Sequence, residues 1–292
     1  MMSKTYHVFV YGTLRQHEVN CRLLKESKCH SRQCWTYGVL YNTGYGYPAM
    51  TQGMTSRVYG ELYDITTEQL NRLDSLEGYA GKGQINHYDR ITQTVYTDNS
   101  TVETFVYVFT SSQITNLEKI KFGDWKCHRY LNKDEILYFA YGSCMDSERF
   151  HRSGVKDQFA LVAGCGIVKN YSLAYSRKSH DGGRADIIES NQWVEGKVYQ
   201  IKNKTLDYLY KREGVYMNIY RPAFVDVIID GVWYNDVLTF LVIDKEKETA
   251  PPEQYAAEIL RGAKSFVSDR YYKKLKDDLS NQFSMKLNEE EI

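Results

Sequence analysis

The sequence predicts an α+β protein of two tandem domains, each a largely antiparallel sheet with a few helices packed on it. Three observations predict this. Residues 60–78 (GELYDITTEQLNRLDSLEG) align without a gap with residues 196–214 (GKVYQIKNKTLDYLYKREG). At 292 residues the chain exceeds the usual size of a single core. Each half carries strand-like runs rich in β-branched and aromatic residues, with glycine turns such as Asp230-Gly231 between them.

The duplication is specific. Gly60, Tyr63, Ile65, Leu70, Leu73, Glu77 and Gly78 recur as Gly196, Tyr199, Ile201, Leu206, Leu209, Glu213 and Gly214, at one constant offset (213 − 77 = 136). Upstream, Val10-Tyr11-Gly12-Thr13-Leu14 recurs as Ala140-Tyr141-Gly142-Ser143-Cys144. A repeat of this length is too large for a solenoid unit and fits a duplicated domain. The expected boundaries are 1–115 for the first domain, 116–134 for a connection and 135–285 for the second domain.

In the first half, 4–11 reads as a strand that ends at Gly12. Residues 15–25 place Val19, Leu23 and Leu24 on one helical face, which predicts a helix. Residues 35–41, 56–64, 87–96 and 101–109 read as strands. Residues 66–76 read as a short helix, with Leu70 and Leu73 inward and Gly78 just past its end. The polar stretch 111–134, with a lone Trp125, reads as the link between domains.

The second half restarts the pattern. A strand at 136–141 leads to a helix at 146–152, and 166–175 is a strand followed by a turn at Gly182-Gly183. Strand 194–201, helix 206–212 and the hairpin 219–229/232–243 repeat the order of the first half. Pro251-Pro252 opens a helix running to Gly262. A last helix covers 269–283, and the acidic tail 286–292 is expected to fray.

Composition excludes several classes of function. Lys plus Arg and Asp plus Glu both number 37, so no basic surplus exists to hold nucleic-acid phosphates. No window reaches 18 apolar residues, and the N-terminal sequence lacks an apolar signal core, so neither a membrane span nor a secretory leader is expected. The six cysteines have no tight paired spacing, which suits a cytosolic protein with reduced thiols. His17/Cys21 and Cys29/His30/Cys34 resemble metal ligands, but no partner pair follows at zinc-finger spacing. No metal and no cofactor are expected. Oligomeric state has no signature here.

Two repeated features carry chemistry. A strand ending in Tyr-Gly-Thr/Ser leaves backbone N–H groups unpaired where the chain turns. Such groups bind carboxylates and oxyanions. A single copy reads equally well as a plain turn. The repeated glutamate, Glu77 or Glu213, ends a helix just before a glycine. There the helix dipole works against a negative charge, and partial burial would do the same, so the carboxyl is expected to titrate high. A residue serving stability alone would better be Lys or Arg at that place. A glutamate so raised can take a proton near neutral pH and return it. The alternative is a glutamate bonded to a buried tyrosine or amide. No Gly-x-Ser-x-Gly elbow, P-loop or paired-carboxylate motif accompanies it.

At these residues the sequence resembles a known family. Val10 through Arg15, Tyr47-Pro48-Ala49, Gly60 through Tyr63, Leu73-Asp74, Glu77-Gly78-Tyr79, and Tyr88 with Arg90 look like the AIG2-like, γ-glutamylamine branch of the γ-glutamylcyclotransferase superfamily. Tyr138 through Ser143, Gly182-Gly183-x-Ala185-Asp186-Ile187, Glu213-Gly214-Val215, Tyr220-Arg221 and Arg261-Gly262-Ala263 resemble the γ-glutamylcyclotransferases proper. The order of these elements is similar to that of tandem-domain members. The resemblance implies two small β-barrels with helices around a pocket. It also implies release of 5-oxoproline from a small γ-glutamyl substrate, with Glu77 and Glu213 as catalytic acid/bases. Substrate binding would fall to Tyr11, Gly12, Thr13, Leu14 and Tyr107 in the first domain, and to Tyr138, Tyr141, Gly142, Ser143 and Cys144 in the second.

The second half departs from the pattern. Cys144 stands where that branch has Asn, Tyr210 follows Leu209 where the first half has Asp74, and Phe240 matches Tyr107 without its hydroxyl. These departures motivate a second reading, a non-catalytic binder or sensor of γ-glutamyl metabolites.

Overall fold

A computed structural model describes residues 4–285; the expected acidic tail lies outside them. The chain divides after Arg129 into two compact units, each built on a closed five-stranded barrel. The first unit contains β1 (Thr5–Val10), β2 (Lys28–Tyr37), β3 (Val39–Asn42), β4 (Pro48–Thr51), β5 (Arg57–Thr66), α1 (Thr67–Glu77), β6 (Asp89–Tyr96), β7 (Thr101–Val108), β8 (Glu118–Lys119) and most of α2 (Trp125–Tyr130). Its barrel runs β1-β5-β2-β6-β7 and closes where β7 meets β1 in parallel, Val8 opposite Phe105.

The second unit contains β9 (Glu135–Ala140), α3 (Ser147–Arg152), β10 (Val162–Ser179), β11 (Gly182–Lys202), α4 (Leu206–Arg212), β12 (Tyr220–Ile229), β13 (Val232–Val242), α5 (Glu253–Ala263) and α6 (Asp269–Phe283). Its barrel has the same circular strand order and closes in parallel between Leu238 and Tyr138. The α+β class and the two tandem small barrels thus stand as the sequence predicts.

One glycine in each barrel permits the first strand to cross its neighbour closely. A Cβ on Gly60 would sit 2.3 Å from the Val10 carbonyl oxygen, and one on Gly196 would sit 2.3 Å from that of Ala140. Phe9 and Phe139 lay their rings over the same two glycines. The repeated glycine is therefore a packing requirement of the fold.

Alternation along β1 feeds two clusters. Val8 and Val10 join Leu70 and Leu73 of α1, and Phe9 joins Cys34, Leu62 and Val106. Burying each of these aliphatic side chains contributes about 1.5–3 kcal/mol. The start of α1 is fixed by a capping box. Thr66 Oγ1 accepts from the Gln69 N–H at 3.2 Å, and Gln69 Oε1 accepts from the Thr66 N–H at 2.9 Å. Its end is fixed by Gly78, whose φ of 63° places the chain in the left-handed region.

Two expectations change. Residues 15–25 form turns and one short 3-10 segment, Cys21–Leu24, not a helix. Side-chain pairing overrides the helical spacing. Arg15 is buried against Glu61 at 3.4 Å and Asp124 at 2.8 Å, Glu18 accepts from the Trp125 indole at 3.3 Å, and His17 has a φ of 67°. Val19, placed by its spacing on one helical face with Leu23 and Leu24, is 76% exposed. The same bonds redraw the connection expected at 116–134. Its first part belongs to the first unit, with β8 paired on β3 and Ile120 and Trp125 packed in the Phe9 cluster.

Candidate active site

The first unit holds a cavity of about 330 Å³ between the end of β1, the end of α1 and the loop before β4. Tyr11, Gly12, Thr13, Leu14, Tyr107 and Glu77 all line it. Each gets there by local chemistry. Gly12 lies against Pro48, where a Cβ would come within 2.7 Å of the ring. The turn is pinned by Arg15 N–H to Gly12 O at 3.0 Å and Asn20 N–H to Thr13 O at 2.9 Å. Among the described residues no acceptor takes up the N–H groups of Gly12, Thr13 and Leu14. They form the open donor set that binds anions.

Glu77 sits across the same cavity, half-buried at the last turn of α1. Burial pushes its carboxyl up to about 7. Tyr11 is fixed by donating to the Tyr107 carbonyl at 2.6 Å. Tyr88 is fixed by donating to the Pro48 carbonyl at 2.8 Å. Tyr107 turns its hydroxyl to Asp74 at 2.7 Å, and Arg90 holds the other oxygen of Asp74 at 2.5 Å. Apart from Asn20, the rest of the lining is mainly aromatic and apolar, including Tyr45, Tyr47, Leu76 and His87.

The second unit has a cavity of about 380 Å³ at the corresponding place, and it is far more charged. Ser143 and Glu213 line it with Arg149, Arg184, Arg212, Tyr220 and Tyr255. Glu213 caps α4, and Gly214 follows at a φ of 61°. Cys144 donates from Sγ to Glu213 Oε1 at 3.4 Å. Arg212 donates from Nε to Cys144 Sγ at 3.0 Å and from its terminal nitrogen to Ser143 Oγ at 3.2 Å. Burial raises Glu213 while Arg212, Cys144 and Arg149 pull it back, leaving it above the usual carboxylate range. Burial also raises the Cys144 thiol, against the pull of Arg212.

Of the second set of expected binding residues, Ser143 reaches the cavity. Tyr138 and Tyr141 are buried behind it, at 3% and 6% exposure. Tyr141 donates to the Phe240 carbonyl at 2.5 Å, the counterpart of the Tyr11–Tyr107 bond, so Phe240 does occupy the place of Tyr107. Gly142 lies beside Ala185 and Tyr255, and Cys144 contacts the cavity through Glu213.

A family model described as "Gamma-glutamyl cyclotransferase, AIG2-like" matches residues 8–127, and one described as "AIG2-like family" matches 193–275. YkqA of Bacillus subtilis strain 168, provisionally named a gamma-glutamylcyclotransferase, is 39% identical over 277 residues, spanning 94% of this chain and 97% of its own. Its crystal structure superposes with a TM-score of 0.86 over 98% of this chain and all of that one. The chain belongs to the γ-glutamylcyclotransferase superfamily. Within it, the chain is 37% identical over 124 residues to the gamma-L-glutamyl-butirosin B gamma-glutamyl cyclotransferase of Niallia circulans, spanning 42% of this chain and 77% of that enzyme.

Several cavity residues of this superfamily member escaped the sequence reading of the site. Tyr45, Tyr47 and His87 come from loops whose course no periodicity encodes. Arg149, Arg184 and Tyr255 come from α3, β11 and α5, distant in sequence. Arg212 alone had a local signal, since it directly precedes Glu213.

Proposed function

We propose that the protein is a γ-glutamyl cyclotransferase that releases 5-oxoproline and a free amine or amino acid from a γ-glutamyl compound. One observation carries this reading: Glu77, titrating near neutrality, shares a cavity with the open N–H groups of the Tyr11–Leu14 turn. The turn would take the substrate's α-carboxylate. Glu77 would accept a proton from the α-ammonium, freeing the lone pair. The amine nitrogen then attacks the γ-carbonyl carbon of the same molecule. A C–N bond forms in the five-membered lactam as the amide C–N bond to the leaving group breaks. Glu77 returns its proton to the departing nitrogen. The second proton, shed by the ring nitrogen as it becomes the lactam N–H, ends on the released amine, which leaves as its ammonium and carries away the charge the α-ammonium brought. The attack is intramolecular, so holding the curled conformer supplies much of the acceleration.

Glu213 would do the same work in the second unit. A second reading applies there, because Arg212 and Cys144 already occupy the carboxylate. That unit would then bind γ-glutamyl metabolites without turning them over. Incubation with a panel of γ-glutamyl amides, read by mass spectrometry for 5-oxoproline, tests both readings. The enzymatic reading requires product from the native chain and none from a folded Glu77→Gln/Glu213→Gln double variant. Product from Glu213→Gln together with none from Glu77→Gln would assign the second unit to binding.

A further inference from the structure

A cluster in the first unit, outside the cavity of that unit, carries an independent inference. His7 on β1 stands directly opposite Asp64 on β5 in the strand register. The register between β2 and β5 shifts between Cys29 and Ser31, and the extra residue at that bulge is His30. The bulge turns His30 back toward the same carboxylate. His7 Nδ1 lies 2.8 Å from Asp64 Oδ1, and His30 Nε2 lies 2.6 Å from Asp64 Oδ2. One donor atom from each of the three residues falls within 4.8 Å of the others.

Asp64 Oδ1 is shielded from solvent, and the groups that face the carboxylate are the two imidazole nitrogens, each close enough to donate to it or to share an ion with it. The barrel fold does not require the group. The second barrel places Leu137 opposite Gln200 at the register position matching His7 and Asp64. The spacings do suit an ion. With metal–ligand bonds of about 2.1 Å, neighbouring donors of an octahedral site stand about 3.0 Å apart.

We propose that His7, His30 and Asp64 bind a divalent first-row transition metal through two imidazole nitrogens and one carboxylate, clamping β1, β2 and β5 together. The mixed N/O donor set suits zinc, nickel or cobalt, not calcium or magnesium, which take oxygen. His7 and His30 are 44% and 32% exposed at their side chains, which leaves room for water in the remaining positions. Four residues of strand separate His7 from Tyr11, about 13 Å. The ion would therefore stabilise the fold and take no part in turnover.

The test uses the full chain without a polyhistidine tag. Zinc chloride is titrated against a chromophoric chelator, and cobalt chloride is added to separate samples for absorption spectra. The comparison variant is His7→Leu/Asp64→Gln, which installs the pair the second barrel already tolerates. His30→Ala is a second, single-site variant. The native chain is expected to bind one Zn²⁺ with a Kd below about 10 μM, at least ten-fold tighter than either variant. Zinc should raise the melting midpoint of the native chain alone. Its cobalt spectrum should lack thiolate charge transfer. Equal zinc affinity in native chain and variants, absence of binding at about 100 μM, or a thiolate band would each overturn the proposal.

Discussion

Glu61 and Lys197 occupy the same position in the two barrels with opposite charge, and each anchors the turn of its own cavity. Glu61 Oε2 accepts from the Gln16 N–H at 2.9 Å, and Lys197 Nζ donates to the Met145 carbonyl at 2.8 Å. One turn is thus held by a backbone donor and the other by a backbone acceptor, so the duplicated halves keep the geometry with inverted chemistry. Glu61 is 1% exposed among Arg15, Lys126 and Tyr63, whose hydroxyl donates to it at 2.7 Å. Burial alone would raise its pKa, but Lys126, Arg15 and the hydrogen bonds outweigh burial and hold it low. A carboxyl with a depressed folded pKa contributes stability above its unfolded pKa and loses it as pH falls through the folded value. Glu61→Gln should therefore cost about 3–5 kcal/mol at pH 7 by stranding buried cations. The loss should shrink on acidification below pH ~4. Urea melts of both proteins at several pH values check this.

The two crossing glycines should be equally intolerant. Alanine at Gly60 or Gly196 drives a Cβ to within 2.3 Å of a backbone carbonyl oxygen, which has no rotamer to change. Each single substitution should cost about 3 kcal/mol or more. Circular dichroism and calorimetry of Gly60→Ala and Gly196→Ala should show two transitions, with only the substituted unit shifted. A loss below about 1 kcal/mol in either variant would contradict the close crossing.

What the sequence made legible follows from where the constraints act. Gly60, Gly196, Glu77 and Glu213 are legible because the fold imposes them at one fixed spacing in both halves. The capping box at Thr66–Gln69 and the stop at Gly78 are local, so α1 is readable to within a residue. The segment after Tyr11 is not. Its apolar spacing looks helical, but long-range pairs from Arg15 to Glu61 and Asp124 set its course. Trp125 reads as a linker residue for the same reason, since its partner Glu18 lies 107 positions away. The charged lining of the second cavity is assembled from α3, β11, α4 and α5, which no spacing brings together.

Arg212 should govern the second site's response to pH. Its guanidinium lies 3.9 Å from Glu213 and is a force that lowers a carboxyl otherwise raised by burial. Arg212→Met removes that force, so Glu213 should hold its proton to higher pH. In a Glu77→Gln background, any turnover at the second site should shift to more alkaline pH. Ligand binding measured by calorimetry should show the same alkaline displacement in proton uptake. An unchanged profile would separate Arg212 from Glu213 and assign the arginine to Ser143 and Cys144 alone.

Glu77 gives the sharpest test, because its two expected effects have opposite signs. Burial raises its carboxyl from the ordinary 4.5 to about 7. The folded chain therefore binds a proton that the unfolded chain has released between those values. Stability must fall as pH rises through that window, because ν is larger in the native state. Above pH ~7 the deficit levels off, on the order of 2–3 kcal/mol after allowance for partial solvation. Glu77→Gln keeps the shape and abolishes the charge. At pH 8 it should be more stable than the native chain by that amount, and at pH 4 nearly equal to it. Activity should run the other way. Only the ionised carboxylate can accept the α-ammonium proton, so kcat/KM of a Glu213→Gln protein should climb through pH ~7. Glu77→Gln should lose about 10²–10⁴-fold of turnover at the first site. A variant more stable at alkaline pH yet inactive at that site would be the signature of a base held in place at the expense of the fold. A destabilised Glu77→Gln at pH 8 would instead mean that the glutamate serves as a structural partner, and the assignment of the base would fail with it.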